Sequence, residues 1–350
     1  MPGITSYQSI QITGIREELH DFKIFSFERD TNFSYKAGQY LTLIHDQRGN
    51  EIRRSYSITS APGLNEPLSI GVKRIPNGFY SRLLIDHAKP GDELITSGVG
   101  GLFVLPKDIE KFNQLYFFAA GSGITPIYSI LKFALRFHPW LRIILIYSSP
   151  SPSSTILLEE LRQLQEEFQS RLTIQWLFGN APDLTGARLY RESLIHFVNY
   201  YSESSYANSL YYICGPLSYM RMCTFVLLEM HVPPDNIKRE NFLVAQPKPI
   251  KVLPPDKQTH FAKIKLGNDQ YTIEVQYPDT ILQAAMKKGL TLPYSCETGR
   301  CANCIARCKK GNVWLSHNEV LTDGDLARGL TLTCVGHPQN GDIELVYDED

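Results

Sequence analysis

Cys296-Glu-Thr-Gly-Arg-Cys301-Ala-Asn-Cys304, answered by Cys334 after a further twenty-nine residues, is the stretch that gives the rest of the chain its meaning. Gaps of four and two followed by a long return match the plant-type ligand spacing of a [2Fe–2S] cluster. Three thiolates converging from one tight loop need short gaps, and Gly299 lets the backbone curl there without a Cβ clash. A zinc site is the rival, because Cys301-x-x-Cys304 is also a zinc-type pair and Cys308 lies close by. The gap of four and the isolated Cys334 suit zinc ribbons poorly, so the candidate metal ligands are Cys296, Cys301, Cys304 and Cys334. Cys308, in Ile305-Ala-Arg-Cys308, reads as a small hydrophobe on a strand.

Working outward, 350 residues that are 43% hydrophobic can bury substantial cores and favour two or three domains over one. A formal net charge of −1 offers no overall basic field for nucleic acid or an anionic membrane, and neither is expected as a partner. The N-terminus has no charged stretch leading into an apolar one, and the densest apolar runs, Leu115 to Ala120 and Ile143 to Tyr147, are too short to span a bilayer. A cytoplasmic protein is expected. Seven cysteines, four of them between Cys296 and Cys308, suggest metal in a reducing compartment more than a disulfide framework.

Upstream of the cysteines, Gln246 to Lys257 holds four prolines and three lysines in twelve residues, the composition of an extended connector. The twelve residues would reach about 37 Å if polyproline-like throughout, and a linker is placed at 248–258. It divides a C-terminal domain, 259–350, from two others. In residues 1–108, short alternating segments separated by turn clusters predict a small antiparallel β-barrel. Within it lie Arg54-Ser-Tyr56-Ser57 and, some twenty residues on, Asn77-Gly78-Phe-Tyr-Ser81, which opens a helix. An Arg fork, an aromatic ring and an open helix N-terminus are the parts that hold a flavin nucleotide. Alone, each is an ordinary strand or turn.

Residues 109–247 alternate strand and helix and predict a parallel α/β domain with its crevice at the C-terminal ends of the strands. The strand Leu115 to Ala120 runs into Gly121-Ser-Gly123-Ile-Thr125-Pro126, a phosphate-binding geometry in which Pro126 replaces the third glycine of the dinucleotide fingerprint. Ser209 to Cys214 forms the last strand of the series and ends in Cys214-Gly215-Pro216 at the same crevice.

In this order, Arg-x-Tyr-Ser, the Gly-x-x-Ser helix start, Gly-x-Gly-x-x-Pro, Cys-Gly-Pro and the C-terminal cysteine loop resemble the ferredoxin-NADP reductase superfamily. The arrangement is similar to oxygenase reductase components of the phenylacetyl-CoA monooxygenase and ketosteroid hydroxylase type, over nearly the whole chain. The resemblance implies a flavin-binding β-barrel, a nicotinamide-binding α/β domain and a β-grasp ferredoxin domain. It implies that Arg54 pairs with the flavin pyrophosphate, that Tyr56 lies along the isoalloxazine, that Ser57 bonds near its N5, and that Gly78 and Ser81 complete the phosphate site. Gly121, Gly123, Thr125 and Pro126 would carry the nicotinamide dinucleotide, with Cys214, Gly215 and Pro216 beside the nicotinamide and Glu240 and Phe242 closing the flavin site. FAD is favoured over FMN by resemblance alone. Ala302 stands where relatives commonly carry Gly or another small residue, a mild change that does not threaten the cluster.

A nicotinamide gives up two electrons together, an iron–sulfur cluster accepts one, and a flavin bridges the mismatch. The expected activity is electron transfer from NADH or NADPH through FAD and one [2Fe–2S] cluster to a protein acceptor, a Rieske-type or di-iron oxygenase, with no acid–base residue required. A general ferredoxin or cytochrome reductase and a non-catalytic redox sensor are the alternatives. Tyr147-Ser-Ser-Pro-Ser-Pro-Ser-Ser offers hydroxyls but neither Arg nor Asp at the 2′-position, which leaves NADH and NADPH both open.

Overall fold

The structure is a computed structural model that describes residues 7–28, 33–47, 49–242 and 252–347. Its first sheet orders β1 (Gln8–Leu19), β2 (Phe22–Phe27), β3 (Tyr40–Gln47), β4 (Asn50–Ser57), β5 (Ser69–Lys73) and β6 (Glu93–Gly100) as β4-β3-β6-β1-β2-β5, with every pairing antiparallel. The two ends of the sheet approach each other where Ile58, just past β4, bridges Ile70 of β5, so the sheet curls toward closure. Alternation does the rest: Ile10, Ile12, Phe25, Phe27, Leu41 and Leu43 fill the interior. Helix α1 (Phe79–His87) lays Tyr80, Leu84 and Ile85 over this core.

The second sheet contains β7 (Gln114–Ala120), β8 (Arg142–Ser149), β9 (Leu172–Phe178), β10 (Ser209–Cys214) and β11 (Ile237–Glu240) in the order β11-β10-β7-β8-β9, all parallel. Its crossovers are α2 (Ile124–Phe137), α3 (Leu158–Glu167), α4 (Leu184–Ala187), α5 (Arg191–Tyr201) and α6 (Leu217–Glu229). With helices on both faces, β7, β8 and β10 are buried almost throughout and read as unbroken apolar runs. The sequence reading ends this series at β10, whereas the structure adds β11 beyond it. Four residues that include Lys238 and Arg239 carry no apolar run to betray an edge strand.

The third sheet runs β13-β12-β16-β14-β15 from β12 (His260–Leu266), β13 (Asp269–Val275), β14 (Ile305–Leu315), β15 (Leu330–Leu332) and β16 (Gly336–Val346). Only β12 and β16 pair in parallel. Helices α7 (Ile281–Lys287) and α8 (Asp323–Ala327) complete the unit. Thr280 starts α7 with a capping box: its Oγ accepts the Gln283 N–H at 3.2 Å while Gln283 Oε1 accepts the Thr280 N–H at 3.0 Å. Ile281, Leu282, Ala284 and Ala285 are buried beneath it.

Gln8–Phe242, the barrel together with the parallel sheet, is one compact unit, and the described residues from Val252 onward belong to another. Of the proline-rich stretch, residues 246–251 lie outside the described residues. Its second half is fastened to the C-terminal unit. Asp256 accepts the Gln258 N–H at 2.8 Å and the Asn340 N–H at 2.7 Å, and it meets His260 Nε2 at 2.8 Å. These contacts, the two backbone donors first, hold its carboxyl down at about 2. Cys308 also differs from a packed hydrophobe. It sits half-buried at a bulge of β14, its thiol donating to Lys310 O at 3.2 Å.

Replacing Thr280 by Ala removes the acceptor for the Gln283 N–H and is expected to cost about 1 kcal/mol. Faster amide exchange across β12 and β16 in the full chain, without change in β7 or β8, is the expected readout.

Candidate functional site

Strand β4 delivers Arg54, Tyr56 and Ser57 to the mouth of the barrel. Arg54 is half-buried and donates to the Arg53 carbonyl at 2.7 Å. Tyr56 stands edge-on to Tyr80 at 6.5 Å between centroids, and burial pushes its hydroxyl well above the ordinary value. Tyr80 in turn meets His45 at 5.3 Å, and His45 meets Phe79 at 5.4 Å, so an aromatic row runs from β4 to the exposed start of α1. Ser57 is 3% exposed, and its Oγ has no hydrogen-bond partner. A buried hydroxyl left so costs about 1–3 kcal/mol, so this atom suits a polar ligand atom brought in from outside the chain.

Gly78 caps α1 without a side-chain bond, so no side chain caps its first-turn N–H groups. Ser81 is committed elsewhere. Its Oγ donates to Gly78 O at 3.2 Å and accepts the Ile75 N–H at 3.1 Å, so the hydroxyl expected as a phosphate ligand braces the turn.

In the parallel sheet, β7 ends at Ala120 and the chain turns through Gly121 at φ +56°, a left-handed conformation that suits glycine. A single 3-10 turn, Gly121–Gly123, leads into α2. Thr125 bonds within this turn, its Oγ donating to Ser122 O at 2.9 Å, and Pro126 follows in the first turn of the helix. Gly123 lies so close to β10 that a Cβ on it would stand 2.1 Å from Cys214 O, and a Cβ on Gly215 would stand 2.9 Å from that of Ala120. The two loops therefore interlock at the C-terminal ends of adjacent parallel strands. Pro216, the N-cap of α6, carries the chain out of the crevice.

Cys214 pairs in register with Glu240 of β11. The Glu240 residue as a whole is half-buried, but its Oε2 is enclosed and has no hydrogen-bond partner. Burial raises this carboxyl to about 8. Burial, and then Glu240 once it ionises, push the Cys214 thiol well up, so burial alone keeps it protonated and no nucleophile at neutral pH. Phe242, two residues beyond Glu240, is 37% exposed. The barrel abuts this crevice: a Cβ on Gly71 of β5 would lie 2.7 Å from Thr125 Cγ2.

In the C-terminal unit the four candidate ligand thiols gather. Cys296 interacts with Cys301 and Cys334, and Cys304 with Cys334. Those neighbouring thiols, then the Thr298 hydroxyl and N–H, hold the Cys296 thiol far below its ordinary range against the opposing effect of burial. Its Sγ accepts the N–H groups of Thr298 at 3.4 Å and Arg300 at 3.5 Å, which favour a thiolate. Among the described residues, no group of three or more His, Cys, Asp or Glu is set out to hold a single metal ion. Gly299, at φ +72°, cannot be replaced freely, since a Cβ would meet His317 O at 2.7 Å. Ala302 also takes a left-handed conformation, φ +56°, which gives the alanine there a physical cost.

Behind the loop, Glu319 accepts from Arg300 Nε at 3.3 Å and meets His317 Nε2 at 2.9 Å. The sequence gives no signal for this network, whose members lie up to nineteen residues apart. Tyr80 was within reach of sequence reasoning, as an aromatic next to the glycine helix start. The Ser-rich loop after β8 folds on itself: Ser151 Oγ meets Ser154 Oγ at 2.9 Å, and Thr155 Oγ donates to Ser151 O at 2.8 Å. None of the seven cysteines is in a disulfide. No helix among the described residues is long and apolar enough to cross a membrane.

Three family models match the chain in this order: an oxidoreductase FAD-binding domain over residues 9–104, an oxidoreductase NAD-binding domain over 117–224, and a 2Fe-2S iron-sulfur cluster binding domain over 264–339. The last decides the zinc rivalry in favour of the cluster. The ferredoxin reductase component of 3-ketosteroid-9-alpha-monooxygenase from Mycolicibacterium smegmatis is 30% identical, with 97% of each chain covered. The reductase subunit of glycine betaine monooxygenase from Pseudomonas aeruginosa is 28% identical, over 97% of this chain and 94% of its own length. Among solved structures, phthalate dioxygenase reductase shares the fold over 98% of both chains at 22% identity, with a TM-score of 0.60.

Two outcomes are expected. Glu240 keeps its proton to about pH 8 when folded and to an ordinary 4.5 when unfolded, so unfolding releases a proton between those values and stability falls as pH rises through that window. Thermal unfolding of flavin-free protein from pH 5 to 8 reads this slope, which Glu240→Gln flattens. Ala302→Gly relieves the left-handed alanine and is expected to stabilise the loop by about 1 kcal/mol, seen in the denaturation midpoint.

Proposed function

Because the chain belongs to the family of oxygenase reductase components with FAD-binding, NAD-binding and [2Fe–2S] domains, we propose a division of labour among its residues. We take residues 1–108, 109–247 and 259–350 as the three modules and 248–258 as their connector. Arg54 pairs with the flavin pyrophosphate, assisted by the open N-terminus of α1, while Gly78 and Ser81 shape that turn. Tyr56 lies along the isoalloxazine. Ser57 and Glu240 supply the polar contacts that their enclosed, unpartnered oxygens lack within the chain. Phe242 covers the same site. The glycine turn, with Thr125 and Pro126 setting its shape, receives the dinucleotide phosphates, and Cys214, Gly215 and Pro216 form the wall beside the nicotinamide. Cys296, Cys301, Cys304 and Cys334 hold the cluster.

The single observation that carries this reading is the pair of enclosed oxygens, Ser57 Oγ and Glu240 Oε2, at the ends of β4 and β11. A bound flavin supplies the step from two-electron to one-electron transfer. The chain's own part is to bind, to orient and to keep water out: the Cys214 thiol is wholly buried and Gly123 closes against its carbonyl.

The acceptor is a partner oxygenase of the Rieske or di-iron type, and the protein works in the cytoplasm, a reducing compartment that suits a chain whose cysteines form no disulfide. Either nicotinamide nucleotide is compatible with the self-bonded serine loop.

Anaerobic titration with NADH and then NADPH is expected to bleach the flavin bands and afterwards the cluster bands. In Cys304→Ser the cluster signals vanish while flavin reduction continues at an unchanged rate. Flavin that no nucleotide reduces, in folded and fully loaded protein, would sink the proposal.

A further inference from the structure

We propose that Lys132 and Glu66 are positioning residues for hydride transfer, an ion pair with a buried lysine that sets the nicotinamide-binding helix against the flavin-binding barrel. The proposal rests on the electron path above. Thr125, Ser129 and Lys132 are spaced by four and three residues, so α2 presents them along one face. Each meets the barrel at a different point. The Thr125 methyl faces Gly71, Ser129 Oγ donates to Ser60 O at 2.6 Å, and Lys132 Nζ donates to both Glu66 oxygens at 2.6 and 2.7 Å.

The receiving side is itself fixed. Glu66 Oε1 accepts the Ala61 N–H at 2.7 Å, while Ser60 Oγ meets Tyr35 Oη at 2.9 Å and accepts the Ser69 N–H at 3.0 Å. Lys132 is only 8% exposed, and its ammonium lies 4.6 Å from the Tyr128 ring centroid. Ser60, Ala61 and Glu66 belong to the connection between β4 and β5, which begins just past Tyr56 and Ser57. One end of α2 carries the glycine turn, and its flank is clamped to the segment that continues the flavin strand. The pair thus acts on the distance and angle between two candidate sites while touching neither.

Burying the Lys132 ammonium against a Glu66 that stays partly in water is an expensive way to gain stability, since apolar side chains of similar size commonly do as well. What apolar packing does not reproduce is a two-pronged, directional bond, and small misplacements of reacting groups are costly. Burial draws the Lys132 ammonium below its ordinary value while Glu66 raises it again, consistent with a charge held in place by its partner.

The test uses full-length protein loaded with flavin and cluster. Lys132→Met, Lys132→Arg and the double variant Glu66→Leu/Lys132→Met are compared with wild type by stopped-flow flavin reduction at saturating nucleotide. Nucleotide Kd, the primary deuterium isotope effect and the thermal midpoint are measured alongside. In Lys132→Met and the double variant, flavin reduction is expected to slow by about 10- to 100-fold with the isotope effect fully expressed and Kd unchanged. The double variant regains the wild-type midpoint but not the rate, and Lys132→Arg retains most of the rate. A double variant that regains both midpoint and rate overturns the proposal, as does Lys132→Met with wild-type rate. Failure of the wild type to reduce its flavin would instead count against the electron path itself.

Discussion

The structure depends on one close approach of backbone to backbone. The turn after β7 can lie against the end of β10 only because Gly123 has no side chain, since a Cβ there would sit 2.1 Å from Cys214 O. That contact sets where α2 begins, and the start of α2 in turn fixes which of its faces meets the barrel. Thr125, packed on Gly71, continues the chain of consequences into β5, and Ser129 and Lys132 carry it into the connection that follows β4. A cleft for two planar cofactors needs two walls held at a constant separation. Here the walls come from different sheets, and a glycine, a methyl contact and polar bonds register them.

This explains why the fold was legible in the sequence while the wall-to-wall contacts were not. Alternating residues in β1 to β6 and unbroken apolar runs in β7, β8 and β10 are local signals with different periods, and they separate a barrel from a parallel sheet without long-range knowledge. Thr280 followed by Gln283 marks the start of α7 in the same way. β11 escaped because four residues with two charges in the middle give no period to detect. Lys132 and Glu66 lie sixty-six residues apart, and nothing local to either announces the other.

Among the site residues, those that act through backbone geometry were the most legible. Gly121 and Gly299 occupy left-handed conformations, and Gly123 sits where a side chain cannot fit. Hydroxyls were less legible, because a Ser or Thr side chain can bond to its own turn as readily as to a ligand. Ser81 and Thr125 both do so, whereas Ser57, of the same chemical type, does not. The cysteine loop shows the same division. Spacing picks out the four candidate ligands, but the Glu319 and His317 that meet Arg300 of the loop come from a segment that sequence proximity does not link to it.

The enclosed oxygens of Ser57 and Glu240 bear on stability as well as on binding. A folded chain that buries polar atoms without partners gives up about 1–3 kcal/mol for each, out of a margin of only about 5–15. A ligand that bonds to both recovers that loss and binds only the folded state, so its affinity appears as added stability of the whole Gln8–Phe242 unit. Glu240 makes the coupling depend on protonation. With its carboxyl raised to about 8, it is held neutral at physiological pH and has a proton to donate in a hydrogen bond, where an ordinary carboxylate would only accept. The residue therefore favours a ligand that presents an acceptor at that point, and it does so because burial beside Cys214, at the end of an edge strand, leaves the charged form unsolvated.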